Sequence, residues 1–417
     1  MKILWIVNII FPYPAKKLGM QENAFGGWLT GLLDGVLKCD DMEIAIATVY
    51  KGKDIKEFYD GKIRYYLLPG APTTKYNKIL EKYWKEINDR FKPDLVHIHG
   101  TEMTQGLAFQ NACANAKSIV SIQGLVGEIG KVYYGGIPVK EIAKNITFRD
   151  IIKNDNIIQQ KCRFIQRGEN EKKSIKKAMA IIGRTTWDYA NVKAINPNVL
   201  YYKANETLRS DFYNHVWNIK EMSKYTIFTS QASYPIKGLH FLLEAVAILK
   251  EKYQNVKLYV AGENITNRGI KLSGYGKYIQ KLIKKYGLEN NIEFTGILNS
   301  NQIVQRVLDT NVFVLPSAIE NSSNSLGEAM LLGVPCVASN NGGTMDILEH
   351  KKEGFLYPYT EPAMLAEYIA RYFENDDLCL KYGENARKKA LETHDRTKNV
   401  EELIKIYKGV LEKNEKD

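Results

Sequence analysis

The sequence predicts an α/β protein of two doubly wound, parallel-sheet domains, and three observations predict it. Short apolar, β-rich runs recur almost from end to end. Their hydrophobicity is continuous rather than alternating, which means strands covered on both faces. Helical patterns follow most of them, the strand–helix repetition of a doubly wound fold. At about 150 residues per domain, the 417 residues correspond to two or three domains.

Some six or seven strands are expected before residue 205 and about six after 224, among them Ile3–Ile10, Glu43–Val49, Leu95–His99, Ser118–Ile122, Ala180–Gly183, Tyr225–Ser230, Lys257–Gly262, Ile292–Gly296, Val312–Pro316 and Pro335–Ser339. The first reads as a buried strand rather than a signal peptide, because Asn8 interrupts it and no small-residue cleavage site follows. Helices are expected over Gly238–Tyr253, Tyr278–Tyr286 and Ser325–Leu332, and throughout the chain after about Ala363. Lys203–Tyr225 lacks a strand pattern and reads as the connection between halves. The expected division is therefore 1–205 for an N-terminal domain and 206–395 for a C-terminal domain, followed by a final helix over 396–417. A basic helical insertion, about 131–180, is assigned to the first domain.

Composition narrows the function. Hydrophobic residues make up 45% and charged residues 25%, enough for two cores and incompatible with a disordered or collagen-like chain. No run reaches the roughly 20 apolar residues of a membrane helix. Five scattered cysteines point to a reducing compartment and free thiols, so the cytoplasm, or its membrane face, is the expected location. The six histidines form no metal-ligand pattern, and the chain has no Asp-x-Asp pair to hold a cation on a diphosphate. Neither a metal nor a cofactor is expected. The net charge is +11, of which +7 falls between Lys131 and Ala180. Such a stretch reads as a solvated helix face or as a surface for an anionic partner.

In open parallel sheets, ligands bind beyond the carboxyl ends of the strands. Residues just after each strand are therefore the candidates. Gly26 and Gly27 open a helix and could let a phosphate approach its amides, although a glycine pair alone equally marks a turn. His97 and His99 share one strand face; His99, at the strand end, is the candidate for substrate contact. Lys237-Gly238 starts a helix after a strand, where an ammonium can meet an anionic leaving group. Glu320 lies in a polar loop after the next strand of interest, and Glu328 in the first turn of the following helix. Between them, Asn324, Ser325, Leu326 and Gly327 offer amides and hydroxyls at a helix N-terminus, suited to ribose and phosphate. Gly342-Gly343 is a second glycine pair at a strand-to-helix turn, again suited to a diphosphate or sugar.

With these motifs assembled, the chain resembles the retaining glycosyltransferases of the GT-B fold called family 4, over nearly its whole length. The most specific element is Glu320 and Glu328 with Ser325-Leu-Gly-Glu-Ala-Met and Gly333-Val-Pro-Cys-Val-Ala; Lys237-Gly238, Gly342-Gly343, Ile292–Gly296 and Gly26-Gly27 fall in the family's order. Ile98-His-Gly-Thr-Glu, Ser121-Ile-Gln-Gly-Leu, Gly183-Arg-Thr-Thr-Trp-Asp and Asn205-Glu-Thr-Leu-Arg resemble a capsular or exopolysaccharide subgroup.

The resemblance implies that Glu328 binds the donor ribose, Glu320 meets the sugar ring and Lys237 neutralises the departing phosphate. It further implies that amides of Gly26-Gly27 and Ser325–Gly327 hold the diphosphate, that main chain around Gly296 and Leu298 meets the base, that 1–205 binds the acceptor and 206–395 the nucleotide sugar, and that the helix 396–417 crosses back to the first domain. The implied activity is metal-independent, retaining hexosyl transfer from a UDP- or GDP-linked sugar to a cell-surface polysaccharide or lipid-linked glycan precursor. Two positions depart from the family. No arginine precedes Lys237, so Arg184 or Arg209 is the candidate replacement cation. Gln123 stands where a histidine is usual, and it cannot act as a base.

Two other readings are weighed. A nucleotide-sugar epimerase shares the architecture. A basic nucleic-acid or lipid binder would use the 131–180 stretch; its interleaved Phe148, Phe164 and isoleucines fit an anionic membrane surface, and no nucleic-acid partner is expected.

Overall fold

The computed structural model describes residues 1–20, 27–39, 41–70, 74–267 and 269–413. They divide into two compact units. The first comprises Met1–Glu128, Ile165–Thr207 and His394–Asp417; the second comprises Ile129–Phe164 and Leu208–Thr393.

The first unit is built on eight strands: β1 (Lys2–Ile6), β2 (Glu43–Tyr50), β3 (Lys56–Asp60), β4 (Ile63–Pro69), β5 (Leu95–His99), β6 (Ser118–Ser121), β7 (Ala180–Gly183) and β8 (Leu200–Lys203). Their order is β3-β4-β2-β1-β5-β6-β7-β8. Only the edge strand β3 runs antiparallel to its neighbour. Alternation along β1 feeds two cores. Ile3 and Trp5 pack with Leu29, Leu33, Val400 and Tyr407 on one face, whereas Leu4 and Ile6 pack with Trp84, Ile87 and Phe109 on the other. A strand covered on both faces must be apolar throughout, which is why its sequence shows no alternation.

Helix Arg396–Lys413 belongs to this unit. A Cβ at Gly35 would come within 2.4 Å of Val400, so a glycine there lets helix Gly27–Val36 approach it closely. The Trp5 indole donates to the Tyr407 hydroxyl at 3.0 Å.

The second unit carries β9 (Ser223–Thr229), β10 (Lys257–Ala261), β11 (Ile292–Gly296), β12 (Thr310–Leu315), β13 (Cys336–Ser339) and β14 (Phe355–Tyr357) in the order β11-β10-β9-β12-β13-β14. All pairings are parallel. Winding proceeds outward in opposite directions from β9 and β12. The crevice beyond their carboxyl ends is the place such a sheet offers a ligand.

Three expectations are corrected. β1 ends at Ile6 rather than Ile10, because Pro12 and Pro14 begin a short helix, Pro12–Lys17, within what reads as loop. Among the described residues the first half has eight strands rather than six or seven, the hairpin β3–β4 and the edge strand β8 lying outside the ranges named, whereas the second half has six, as expected. The insertion does not lie in one unit: residues 129–164 pack with the second and residues from 165 onward with the first. The physical reason is apolar: Tyr133, Ile137, Ile142 and Ile157 are buried in the same core as Leu239, Leu242 and Tyr275.

All five cysteines are free thiols. Among the described residues, no helix is long and apolar enough to cross a membrane.

Candidate functional site

The site in the second unit begins at the carboxyl end of β9. There Pro235–Lys237 makes one 3-10 turn, and Gly238 follows with φ 71°, opening helix Leu239–Lys252. A Cβ at Gly238 would stand 1.7 Å from the Pro316 carbonyl oxygen, so only glycine lets the turn abut the segment leaving β12. The Ala318 amide donates to the Ile236 carbonyl at 2.7 Å and ties the two loops together. Their side chains meet as a result: Lys237 Nζ lies 2.5 Å from Glu320 Oε1. Both are partly exposed, at 22% and 17%, so the pair is open to a ligand.

Gly342 supports the same loop. Its φ is 63°, and a Cβ there would meet the Glu320 carbonyl at 2.1 Å; the Gly343 amide donates to that carbonyl at 2.9 Å. This glycine pair therefore holds the Glu320 backbone in place.

Helix Asn324–Leu332 follows, with Ser323 as its N-cap accepting from the Leu326 amide. Asn324, Ser325, Leu326 and Gly327 form its first turn; the Gly327 amide donates to the Ser323 carbonyl at 3.1 Å, and the positive end of the helix dipole favours an anion. Glu328 is 6% exposed. Arg209 clamps it with two hydrogen bonds of 2.6 Å, Nε to Oε1 and Nη2 to Oε2. Burial pushes this carboxyl above its usual range, against the pull of Arg209. Each carboxylate oxygen has two lone pairs, so the clamp leaves one on each uncommitted to Arg209. Gly296 ends β11 at φ 77° with open space where a Cβ would be, and the half-buried Leu298 packs against the unit's core.

Sequence reasoning missed what braces the Lys237 turn. Gly135 and Gly136 have φ 56° and 77°, and a Cβ on Gly135 would stand 2.3 Å from the Pro235 carbonyl. The Gly135 carbonyl accepts from Tyr359 at 3.0 Å and lies 2.7 Å from His240 Nε2. Burial holds His240 down to about 4, so the neutral ring donates here. The signal was a third glycine pair, inside a stretch that reads as basic and helical.

The remaining candidates belong to the first unit. Gly26 lies outside the described residues; Gly27 begins helix Gly27–Val36, and its carbonyl accepts from Thr30 at 2.8 Å. His97 and His99 stack with centroids 3.7 Å apart. His97 is held by Tyr407 and Ser121, each at 2.6 Å. His99 is 3% exposed, lies against Trp5 and Trp28, and has no hydrogen-bond partner on either ring nitrogen among the described residues. Burial lowers it to about 3, so it is neutral.

His99 lines a small cavity with Trp28, Arg184, Glu206 and Thr207. Arg184 forms an ion pair with Glu206 and donates to the Ile122 carbonyl at 2.6 Å; the Gln123 amide donates to Glu206 at 2.7 Å. Glu206 is a further partner that the sequence reading does not single out. Both candidate replacement cations are thus paired to carboxylates, Arg209 to Glu328 and Arg184 to Glu206. Among the described residues, no three of His, Cys, Asp and Glu are placed to hold a metal ion.

Comparison with known proteins bears on this geometry. Residues 210–389 match the family model described as glycosyl transferases group 1. The capsular polysaccharide biosynthesis glycosyltransferase CapM of Staphylococcus aureus is 28% identical over 179 residues, 43% of this chain and 44% of that protein. Three other curated glycosyltransferases are matched over 59%, 43% and 34% of their own length, so the chain spans about half the length of these relatives. Among solved structures, sucrose-phosphate synthase from Thermosynechococcus elongatus superposes with a TM-score of 0.72 at 16% identity, covering 98% of this chain and 99% of that one. Anabaena HepE in complex with UDP-glucose gives 0.68 at 16% identity, covering 98% and 100%. The fold is GT-B.

Proposed function

We propose that this protein transfers a sugar, with retention of anomeric configuration, from a UDP- or GDP-linked donor to a cell-surface polysaccharide or lipid-linked glycan precursor. The observation that carries the reading is the 2.5 Å Lys237–Glu320 pair at the carboxyl ends of β9 and β12, within the stretch that matches the family model.

In this mechanism the donor's diphosphate lies at the N-terminus of helix Asn324–Leu332, and its ribose hydroxyls take the open lone pairs of Glu328. The C1–O bond to phosphate breaks while the acceptor oxygen bonds C1 on the same face. The acceptor proton passes to the departing phosphate oxygen, which Lys237 stabilises. Glu320 orients Lys237 and meets the sugar ring. Main chain at Gly296 and Leu298 receives the base. His99, Gln123 and Arg184 contact the acceptor. Charge neutralisation falls to Lys237 and helix-end amides, so no metal is required.

A donor screen by thermal shift tests the binding half. A nucleotide sugar at 100 times its Kd stabilises the folded state by about 2.7 kcal/mol. Incubation without acceptor tests the chemistry: a transferase leaves the donor sugar unchanged or hydrolyses it slowly, and conversion to an epimer would sink the proposal.

A further inference from the structure

We propose that the second unit carries a docking face for an anionic bilayer, with Phe148, Ile151 and Ile152 as the inserting residues and lysines of two neighbouring helices as its charged surround. This inference is independent of the catalytic reading.

The apolar element is helix Phe148–Lys153. Phe148, Ile151 and Ile152 stand at i, i+3 and i+4, hence on one face, and are 73%, 67% and 67% exposed. The opposite side is anchored. Asp150 is 2% exposed; it completes a capping box with Thr147 and accepts from the Gly274 amide at 2.8 Å. Thr147 donates to the Leu272 carbonyl at 2.9 Å. The unit thus fixes this helix with its apolar face outward.

The surround is basic. Helix Val139–Lys144 carries Lys140 and Lys144 beside the exposed Val139. It lies against helix Gly274–Lys285, which carries Lys277, Lys281, Lys284 and Lys285, and Lys277 donates to the Lys144 carbonyl at 3.5 Å. Lys144, Lys281 and Lys140 together hold the Glu141 carboxyl below its usual range. An apolar prow flanked by cations fits a surface that offers acyl chains beneath anionic headgroups. Nucleic acid supplies the charge but nothing to receive two isoleucines. The lysines at 172, 173, 176 and 177, by contrast, lie on the part of helix Ile157–Lys177 assigned to the first unit.

The test is cosedimentation of the full chain with phosphatidylglycerol–phosphatidylcholine vesicles and with phosphatidylcholine alone. The parent is expected to bind the anionic vesicles and to release as salt rises. Phe148→Ser/Ile151→Ser/Ile152→Ser should lose at least roughly tenfold in partitioning. Each of Lys140→Gln, Lys281→Gln and Lys284→Gln should lose roughly fivefold at low salt. Near-ultraviolet circular dichroism of the variants should match the parent, because the changed side chains are exposed. Equal binding to both vesicle types, or unchanged binding by the triple-serine variant, would overturn the proposal. A parent dimer in sedimentation velocity that the triple-serine variant abolishes would instead assign the face to a second copy.

Discussion

Lys237 and Glu320, 83 residues apart in sequence, meet at 2.5 Å because two glycines remove the side chains that would keep their loops apart. Gly238 admits the Pro316 carbonyl and Gly342 admits that of Glu320. The ammonium is thereby held in one place before any substrate arrives. A charge positioned in advance costs no reorganisation when the phosphate leaves. Lys237→Ala should therefore lower turnover by roughly 10²–10³ with the fold intact by circular dichroism. Glu320→Ala should depress turnover more than donor affinity. Steady-state kinetics checks both, and near-parental turnover in the lysine variant would remove it from the site.

The Arg209–Glu328 clamp predicts shared behaviour. Either alanine variant should weaken donor binding, since Arg209→Ala leaves the buried Glu328 without its partner and Glu328→Ala removes the proposed ribose contact itself. Arg209→Ala should also destabilise the unit by about 3 kcal/mol, read from urea unfolding. The double variant should bind donor no worse than the poorer single variant; losses that simply add would show that the two act separately.

Gly135 touches no proposed substrate atom and acts by position. Gly135→Ala forces a side chain into the Pro235 carbonyl at a positive φ, displacing the Lys237 turn. Turnover should fall roughly ten- to a hundredfold while the donor KM stays within about twofold of the parent. A loss confined to KM would mean that the brace serves binding instead.

His99 gives a pH signature. Its folded pKa, about 3, lies below the ordinary 6.5 because burial disfavours the cation. Between these values the unfolded chain takes up a proton that the native state refuses, so this histidine costs stability as pH falls below 6.5. At pH 5 the penalty is about 2 kcal/mol. His99→Gln should therefore lose less stability than the parent between pH 7 and pH 5, measured by urea unfolding. Identical pH slopes would show that His99 titrates normally.

Much of this was legible in the sequence because parallel strands announce themselves. β5, β7 and β12 are buried along their whole length, and the residues after such strands were the ones worth naming. Lys237, Glu320 and Glu328 could be singled out because strand-to-helix turns leave little ambiguity about where their side chains emerge. Partners were not legible. Nothing local says that Arg209 reaches Glu328, 119 residues on, or that Arg184 is paired to Glu206. The hairpin β3–β4 escaped because β3 is a mostly exposed edge strand with two acidic and one basic residue in five. The insertion misled because adjacency in the chain suggests a shared core, whereas Tyr133 and Ile137 bury themselves with helix Leu239–Lys252. Gly342-Gly343 suggested a ligand loop; the structure shows it bracing Glu320.

The central claim is front-face transfer assisted by Lys237, and the configuration of the product tests it most directly. A displacement from the opposite face needs a base to deprotonate the acceptor, and Gln123 cannot supply one. With an α-linked nucleotide sugar and an acceptor, the anomeric proton coupling of the product in NMR should report an α linkage, formed at the same rate with chelator present. A β-linked product would contradict the account.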